Sequence, residues 1–395
     1  MSISRSAVNV YLFIQHYIYT PFIQLTVEDP KSSKIPTIHI RHKKVSQIVW
    51  CIAKLSTVSM KLICLQRIYW INSHWQQYMV TEFAVIVSCT AVFNLTIVTY
   101  LTLERHAEEY AYMMRQSFQL LKISEQDFQS FTKFKSRITI AFHQICLYLF
   151  AGSFMAFPIA AIMFPFVMDY DPLQFFLWQI TPKNISKYWI TVVASFCYGL
   201  LTIHGTTTAL TVILIIIIFG DGVDKISYKL LPAAKMNEMD SNYRLAFNKG
   251  ISLHRILQIL IRLGNKALSD YLAVLLMMGD LLVAGSGYFV ILRYHHVPML
   301  AYLAACCVMV LGFATTFLLT EMADVPYRND NRFKRFWKEQ LKFVGRRREI
   351  RLGIRSCPQI GFSMVIIRNV QKSTGLTIAD NFLNSIANIV LLDGF

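Results

Sequence analysis

The chain has 395 residues, 55% of them hydrophobic, 13% aromatic and only 16% charged, with a mean hydropathy of +0.43 and a formal net charge of +16. One water-soluble core cannot bury that much apolar surface, so the composition excludes an ordinary soluble globule and indicates an integral membrane protein. No internal repeat, low-complexity tract or Pro/Gly/Ser linker divides the chain, which reads as one domain over 1–395.

The first apolar stretch, VNVYLFIQHYIYTPFIQL at 8–25, is followed by no small-x-small cleavage pattern and is interrupted by Pro21. It reads as a membrane-surface or re-entrant helix packed on a bundle, within a cytoplasmic segment of residues 1–45. A spanning helix needs about 20 mostly apolar residues, because lipid offers backbone amides no partner. Seven stretches meet this, at about 46–66, 78–101, 139–168, 188–219, 270–292, 297–320 and 374–393. Lys54 and Lys61 interrupt the first, and scattered polar residues weaken the last. The expected fold is therefore all-α, a polytopic bundle of seven transmembrane helices.

Orientation follows from where the basic residues fall, since cytoplasmic loops collect Lys and Arg. Arg5, Lys31, Lys34, Arg41, Lys43 and Lys44 precede the first span, and Arg105 to Arg137 hold six more between the second and third. Segments 221–269 and 321–373 are basic as well, whereas the alternate loops hold only Arg67, Lys183, Lys187 and Arg293. This places the N-terminus inside and the C-terminus outside. The same bias accounts for the net charge without nucleic acid, and RRREIR at 346–351 suits a juxtamembrane cluster against anionic lipid. Asn184-Ile185-Ser186 is a glycosylation sequon in a loop assigned outside. The eight cysteines lie in spans or on the inner side, leaving no extracellular disulfide and no CxxC metal spacing.

The two amphipathic segments, 221–269 and 321–373, place Leu253, Ile256, Leu257, Leu260 and Ile261 at helical spacing, as an inner helical assembly or a surface-lying helix requires. Pro158 and Pro165 bend the third span, and a bent helix leaves space beside it. Aromatics cluster at the outer ends of spans: Phe154, Phe157, Phe164 and Phe166, then Trp189 and Phe196, Tyr288 and Phe289, and Tyr302. Together they could line a cavity for a small, mostly apolar molecule, although each also suits bundle packing or an interfacial belt. Asp280, near the middle of the fifth span, must face protein or water, because an acid there costs roughly 2.5 to 3.5 kcal/mol. It is expected to make a cavity, gating or structural contact, with Lys54, Lys61 or His204 as candidate partners. Glu82 is expected at the interface and His204 inside the bundle.

An enzyme would need paired carboxylates, a histidine-rich box or an activated nucleophile. The chain offers only His295-His296, and no Gly-rich phosphate loop, cofactor motif or metal set. A G-protein-coupled receptor would run with its N-terminus outside and carry an acidic-Arg-Tyr triplet and an Asn-Pro-x-x-Tyr motif, none of which is present. A secondary transporter would show repeated halves meeting at the midplane, and no repeat is visible.

The inside N-terminus, the outer segment DYDPLQFFLWQITPKNISKYW at 169–189, the inner segments ISLHRILQILIRLGNKALSDYLAVLL at 251–276 and ADVPYRNDNRFKRFWKEQL at 323–341, and the short last span form a pattern along the whole chain. It resembles the arthropod gustatory and odorant receptor superfamily. Members commonly end in a Thr-Tyr pair, about five apolar residues and Gln-Phe. Here Ala387 to Phe395 keep the apolar run and the terminal Phe but not the Tyr or Gln, as in a divergent gustatory-like member. The resemblance implies a plasma-membrane, ligand-gated, non-selective cation channel for a tastant or odorant. It implies a homo- or hetero-tetramer whose last helix lines a shared pore, anchored by the inner extensions, with an outward-facing pocket. On that reading Val390 repeats around the axis as a hydrophobic gate, and Asp393 forms a ring of carboxylates that attracts cations.

Overall fold

The structure, a computed structural model, describes residues 3–17, 23–26, 37–40, 44–74, 80–125, 137–167, 171–182, 185–234, 243–292, 299–340, 347–362 and 372–393. Helix α1 (Ile3–Tyr17) precedes two short antiparallel strands, β1 (Ile23–Thr26) and β2 (Thr37–Ile40), in which Ile23 lies opposite Ile40. Helices α2 (Lys44–Ser73), α3 (Val80–Arg105), α4 (Ala107–Glu125), α5 (Arg137–Val167), α6 (Pro172–Ile180), α7 (Lys187–Ala234), α8 (Tyr243–Leu292), α9 (Met299–Gln340), α10 (Arg347–Arg355) and α11 (Lys372–Asp393) complete the order. Each of the seven expected spans overlaps one of the long helices, whereas the segment 8–25, expected to be one helix, is helical only to Tyr17 and ends in β1, so the small hairpin is the only addition among the described residues to an all-helical bundle.

Helix α7 is the hub, contacting α1, α3, α4, α5, α6, α8 and α9. Its run LTVILIIIIF at 210–219 is apolar all round and buried all round, which is what a helix surrounded by others requires. Helix α1 packs on α7 and α5 through the buried Ala7 and Tyr11. Helices α8 and α9 pair along their lengths, and α11 lies against both. By length and hydropathy, Val85–Arg105, Lys187–Ser227 and Gly250–Ile291 are long and apolar enough to cross a membrane. Helices α2 and α11 are more polar, and part of that polarity is satisfied by neighbours: Lys54 Nζ donates to Glu104 Oε2 at 2.7 Å, and Ser385 Oγ to Asp280 Oδ2 at 3.3 Å.

Where α7, α8 and α9 run on past their most apolar stretches, they form an extension with α4 and α10. Its packing is aromatic, with Trp337 and Phe333 almost fully buried and Phe247 edge-on to Trp337 at 4.9 Å. Its polar groups are buried in pairs. Lys225 meets Asp221 at 2.9 Å, and Asn329 Nδ2 donates to Ser227 Oγ at 2.9 Å. Asp330 Oδ1 contacts His254 Nε2 at 2.8 Å, while its Oδ2 accepts from Lys334 Nζ at 2.8 Å and from the Ile360 amide at 3.1 Å. One fully buried carboxylate thus joins α8, α9 and the segment after α10.

Candidate functional site

At the end of the bundle that carries α6, short-range chemistry fixes a cap. Asp171 accepts from the Leu173 amide at 2.9 Å and Pro172 opens the helix, a favoured N-terminal arrangement. Gln174 Nε2 donates both to the Pro165 carbonyl at 2.6 Å and to Thr191 Oγ1 at 3.0 Å, tying α6 to α5 and α7. Arg67 lies between Trp70 and Phe175, 4.3 and 3.7 Å from their ring centroids, and its Nε donates to Glu82 Oε1 at 2.9 Å. Glu82 is almost fully buried against protein, where packing of α2 on α3 supplies this guanidinium as its partner. Burial pushes the Asp171 carboxyl up to about 6, against the opposing effect of hydrogen bonds from Tyr198 and the Leu173 and Gln174 amides. The Tyr198 hydroxyl donates to it at 2.8 Å.

Beneath this cap a cavity of about 230 Å³ opens between α3, α5, α7, α8 and α9. Its wall is apolar, from Val85, Phe157, Phe164, Leu282, Phe289 and Val308 among others, with Ser88, Cys89, Tyr198, Thr202 and Ser286 as the polar side chains. A deeper chamber of about 190 Å³ continues toward α11 and includes Leu276, Gly279, Gly312, Leu319 and Phe382. The Thr202 hydroxyl donates to the Tyr198 carbonyl four residues earlier at 2.6 Å, which spends the donor on its own helix.

The expected aromatic set divides. Phe157 and Phe164 line the cavity, with Phe289 beside them. Tyr288, the neighbour of Phe289, is fully buried and packs edge-on to it at 5.5 Å rather than lining the space. Trp189 and Phe196 are 61% and 66% exposed and Tyr302 is half-buried on α9, and none of the three lines the cavity. On α7 the inward positions are Tyr198 and Thr202, which leaves Phe196 on the opposite face. Phe154 belongs to α5 and Val390 and Asp393 to α11, with side chains outside the described set, and Asn184 lies outside the described residues.

Asp280 does not meet the partners expected from its charge. It meets Ser385 of α11, while Lys54 pairs with Glu104 and His204 Nδ1 contacts Tyr100 Oη at 2.9 Å beside Trp50. Helix α8 turns that face toward α11 and not toward α2 or α7. Among the described residues no group of three or more His, Cys, Asp or Glu side chains forms a metal site.

Sequence reasoning missed the aromatic Phe93 and residues that are small or featureless: Val92, Thr202, Leu282 and Val308 in the wall, and Gly205, Gly279 and Gly312 in the deeper chamber. Three glycines on three neighbouring spanning helices were the available signal. Gly312 sits at a close crossing, since a Cβ there would lie 2.2 Å from Val283 Cγ2, whereas a Cβ at Gly279 would meet nothing within 4 Å.

No family model matches the sequence. No curated relative matches it either. Solved structures do resemble the chain: the insect olfactory receptor OR5 from Machilis hrabei, at a TM-score of 0.64 and 11% identity, covers 99% of this chain and 98% of its own. The same receptor in complex with eugenol aligns at a TM-score of 0.64 and 10% identity, over 99% of this chain and 97% of its own. The chain has the fold of an insect olfactory receptor along its whole length.

Proposed function

We propose that the protein is a chemosensory receptor of the insect gustatory and odorant type, a multi-pass plasma-membrane protein that acts as a ligand-gated, non-selective cation channel and not as an enzyme. The observation that carries this reading is the fold shared with an olfactory receptor over 99% of this chain. The half-open, mostly apolar cavity under α6 supports it, because its size and lining suit a small organic molecule of tastant or odorant character. OR5 is itself known in complex with eugenol, a molecule of that kind.

On this reading the N-terminus and the basic extension face the cytoplasm, Asn184 lies outside, and four chains, identical or related, place their α11 helices around one pore. Val390 is the hydrophobic gate and Asp393 the outer carboxylate ring. Contacts of α11 with α8 and α9, through Phe382 in the deeper chamber and Ser385 at Asp280, give ligand occupancy a mechanical route to that helix. Such a route operates only if ligand distinguishes two positions of α11.

Whole-cell recording from cells expressing this chain alone, challenged with a panel of small organic molecules that includes eugenol, tests the reading. The expected result is an evoked current reversing near zero potential. Asp393→Asn then lowers cation over anion preference, and Val390→Ala raises resting current. Electrically silent, ion-coupled uptake or G-protein-dependent signalling would overturn the channel reading, and unchanged selectivity and leak in the two variants would overturn the pore assignments.

A further inference from the structure

The cavity and the deeper chamber are not separate. Val92, Phe93, Phe157, Thr202, Leu282 and Val308 belong to both, so a molecule seated under α6 has a path toward α11. The two parts differ in chemistry. The outer part holds Ser88, Cys89, Tyr198 and Ser286, and the Tyr198 hydroxyl, which donates to Asp171, retains its oxygen as an acceptor. Among the described residues, the polar side chains of the inner part are threonines that have turned their hydroxyls to their own helices: Thr57 to the Ala53 carbonyl, Thr96 to Val92, Thr202 to Tyr198 and Thr206 to Thr202. What those lining residues leave exposed is almost all hydrocarbon.

We propose that the inner chamber is a distinct subsite for the alkyl tail of the ligand, with the polar head held in the outer part and the end of the tail resting against Phe382 of α11. This rests on the reading of the cavity as the ligand site and names the ligand class: an elongated aliphatic molecule with one small polar group. Three observations carry it. Gly205, Gly279 and Gly312 line the space, and the missing Cβ of Gly279 faces open room. Among the described residues, the walls offer a polar head no side-chain donor beyond those already spent within α2, α3 and α7, so a head buried against them goes unpaired while a methylene does not. Helix α11 contributes Phe382 to the inner wall: it is almost fully buried among Val283, Ile378 and Ile386, one turn from the Ser385 contact with Asp280. A short ligand fills only the outer part, whereas a longer one reaches the helix assigned to the pore.

The test uses two photoactivatable probes on the full-length receptor in membranes: a dodecanol carrying a diazirine at the tail end, and one carrying it beside the hydroxyl. Labelled positions are mapped by mass spectrometry and competed with unlabelled straight-chain alcohols from hexanol to dodecanol. The tail probe is expected to mark Leu276, Leu319 or Phe382, and the head probe Ser286, Met163 or Ala305. Competitor potency is expected to rise by roughly fourfold per added methylene. Gly279→Leu, which fills the chamber, should cut tail labelling by at least about tenfold and flatten the gain with chain length. Leu276→Phe is a second filling variant if the first does not reach the surface.

Labelling by both probes in the outer part alone overturns the subsite and leaves the cavity reading standing. Labelling of neither part overturns both. Inner labelling that persists when Ser286→Phe plugs the outer part, or that dodecanol does not displace, identifies a membrane lipid chain as the occupant and also overturns the proposal.

Discussion

The cavity half and the extension half keep polar groups away from water in opposite ways. Around the cavity the polar residues are mostly hydroxyls, and Thr57, Thr90, Thr96, Thr202 and Thr206 each donate to the carbonyl four residues back. Each is satisfied within its own helix and needs nothing from a neighbour, so the helices can stand apart and leave space. In the extension the buried groups include charged side chains, some paired within one helix, as Lys225 with Asp221, and others across elements, as where Asp330 joins His254 and the Ile360 amide. Such a network defines one packing arrangement and leaves little freedom. The contrast suits a ligand-accommodating region carried by a rigid base.

The largest effect that would break this comparison is expected at Asp330. Asp330→Ala leaves a histidine, a lysine and an amide without their buried acceptor, and loss of one partner from a buried charge network costs about 3 to 5 kcal/mol. Surface delivery and the melting temperature in detergent should fall sharply, and a melting curve like that of wild type would show that the network does not hold the extension. Next in size is Gly312→Ala, whose Cβ would lie 2.2 Å from the stiff Val283 side chain; overpacking there should cost about 1 to 3 kcal/mol.

A smaller effect separates the cap from both halves. An unfolded aspartate ionises near its ordinary 3.8, and the folded Asp171 near 6, so between these values the folded protein binds the extra proton. Its contribution therefore stabilises the fold as pH falls from about 7 to 5, by on the order of 1 kcal/mol, and levels off below about 4. Melting temperature measured across that range should rise toward acid after correction for other groups, and Asp171→Asn should remove that component. The smallest expected effect has the opposite sign to that at Gly312: Gly279→Ala adds a methyl into open space within a helix and should stabilise by about 0.5 to 1 kcal/mol. Equal responses of the two glycines would erase the distinction between close crossing and chamber.

Much of this architecture was legible along the chain, because a spanning helix declares itself in twenty consecutive residues. The apolar runs at 78–101, 188–219 and 270–292 overlap α3, α7 and α8, and of the amphipathic set Leu253, Leu257, Leu260 and Ile261 mark a helix face that is partly or fully buried in the extension, whereas Ile256 is exposed. The cavity was legible only in part. Phe157 and Phe164 sit in it, but Trp189 and Phe196, chosen by the same aromatic criterion, face away, since composition does not say which side of a helix meets its neighbours. Partnerships were the least legible. Asp280 meets a serine and not a cation, and Glu82 meets Arg67 in the interior, because both contacts depend on how helices are rotated against each other and not on charge. Part of the room in the inner chamber is what Gly279 lacks, and an absent side chain leaves little trace in hydropathy.

The central claim is that this cavity admits a small organic molecule and thereby opens a cation pathway. Reconstitution of the purified protein alone into a planar lipid bilayer, with wild type and Ser286→Phe compared under the same panel of small organic molecules, tests it most directly. The account predicts ligand-dependent cation current in wild type, reversing near zero in symmetrical salt, and its loss in the plugged variant while the protein still assembles and melts as wild type does. Ligand-evoked current of equal size and sensitivity in both, or no conductance in wild type with any member of the panel, would contradict it.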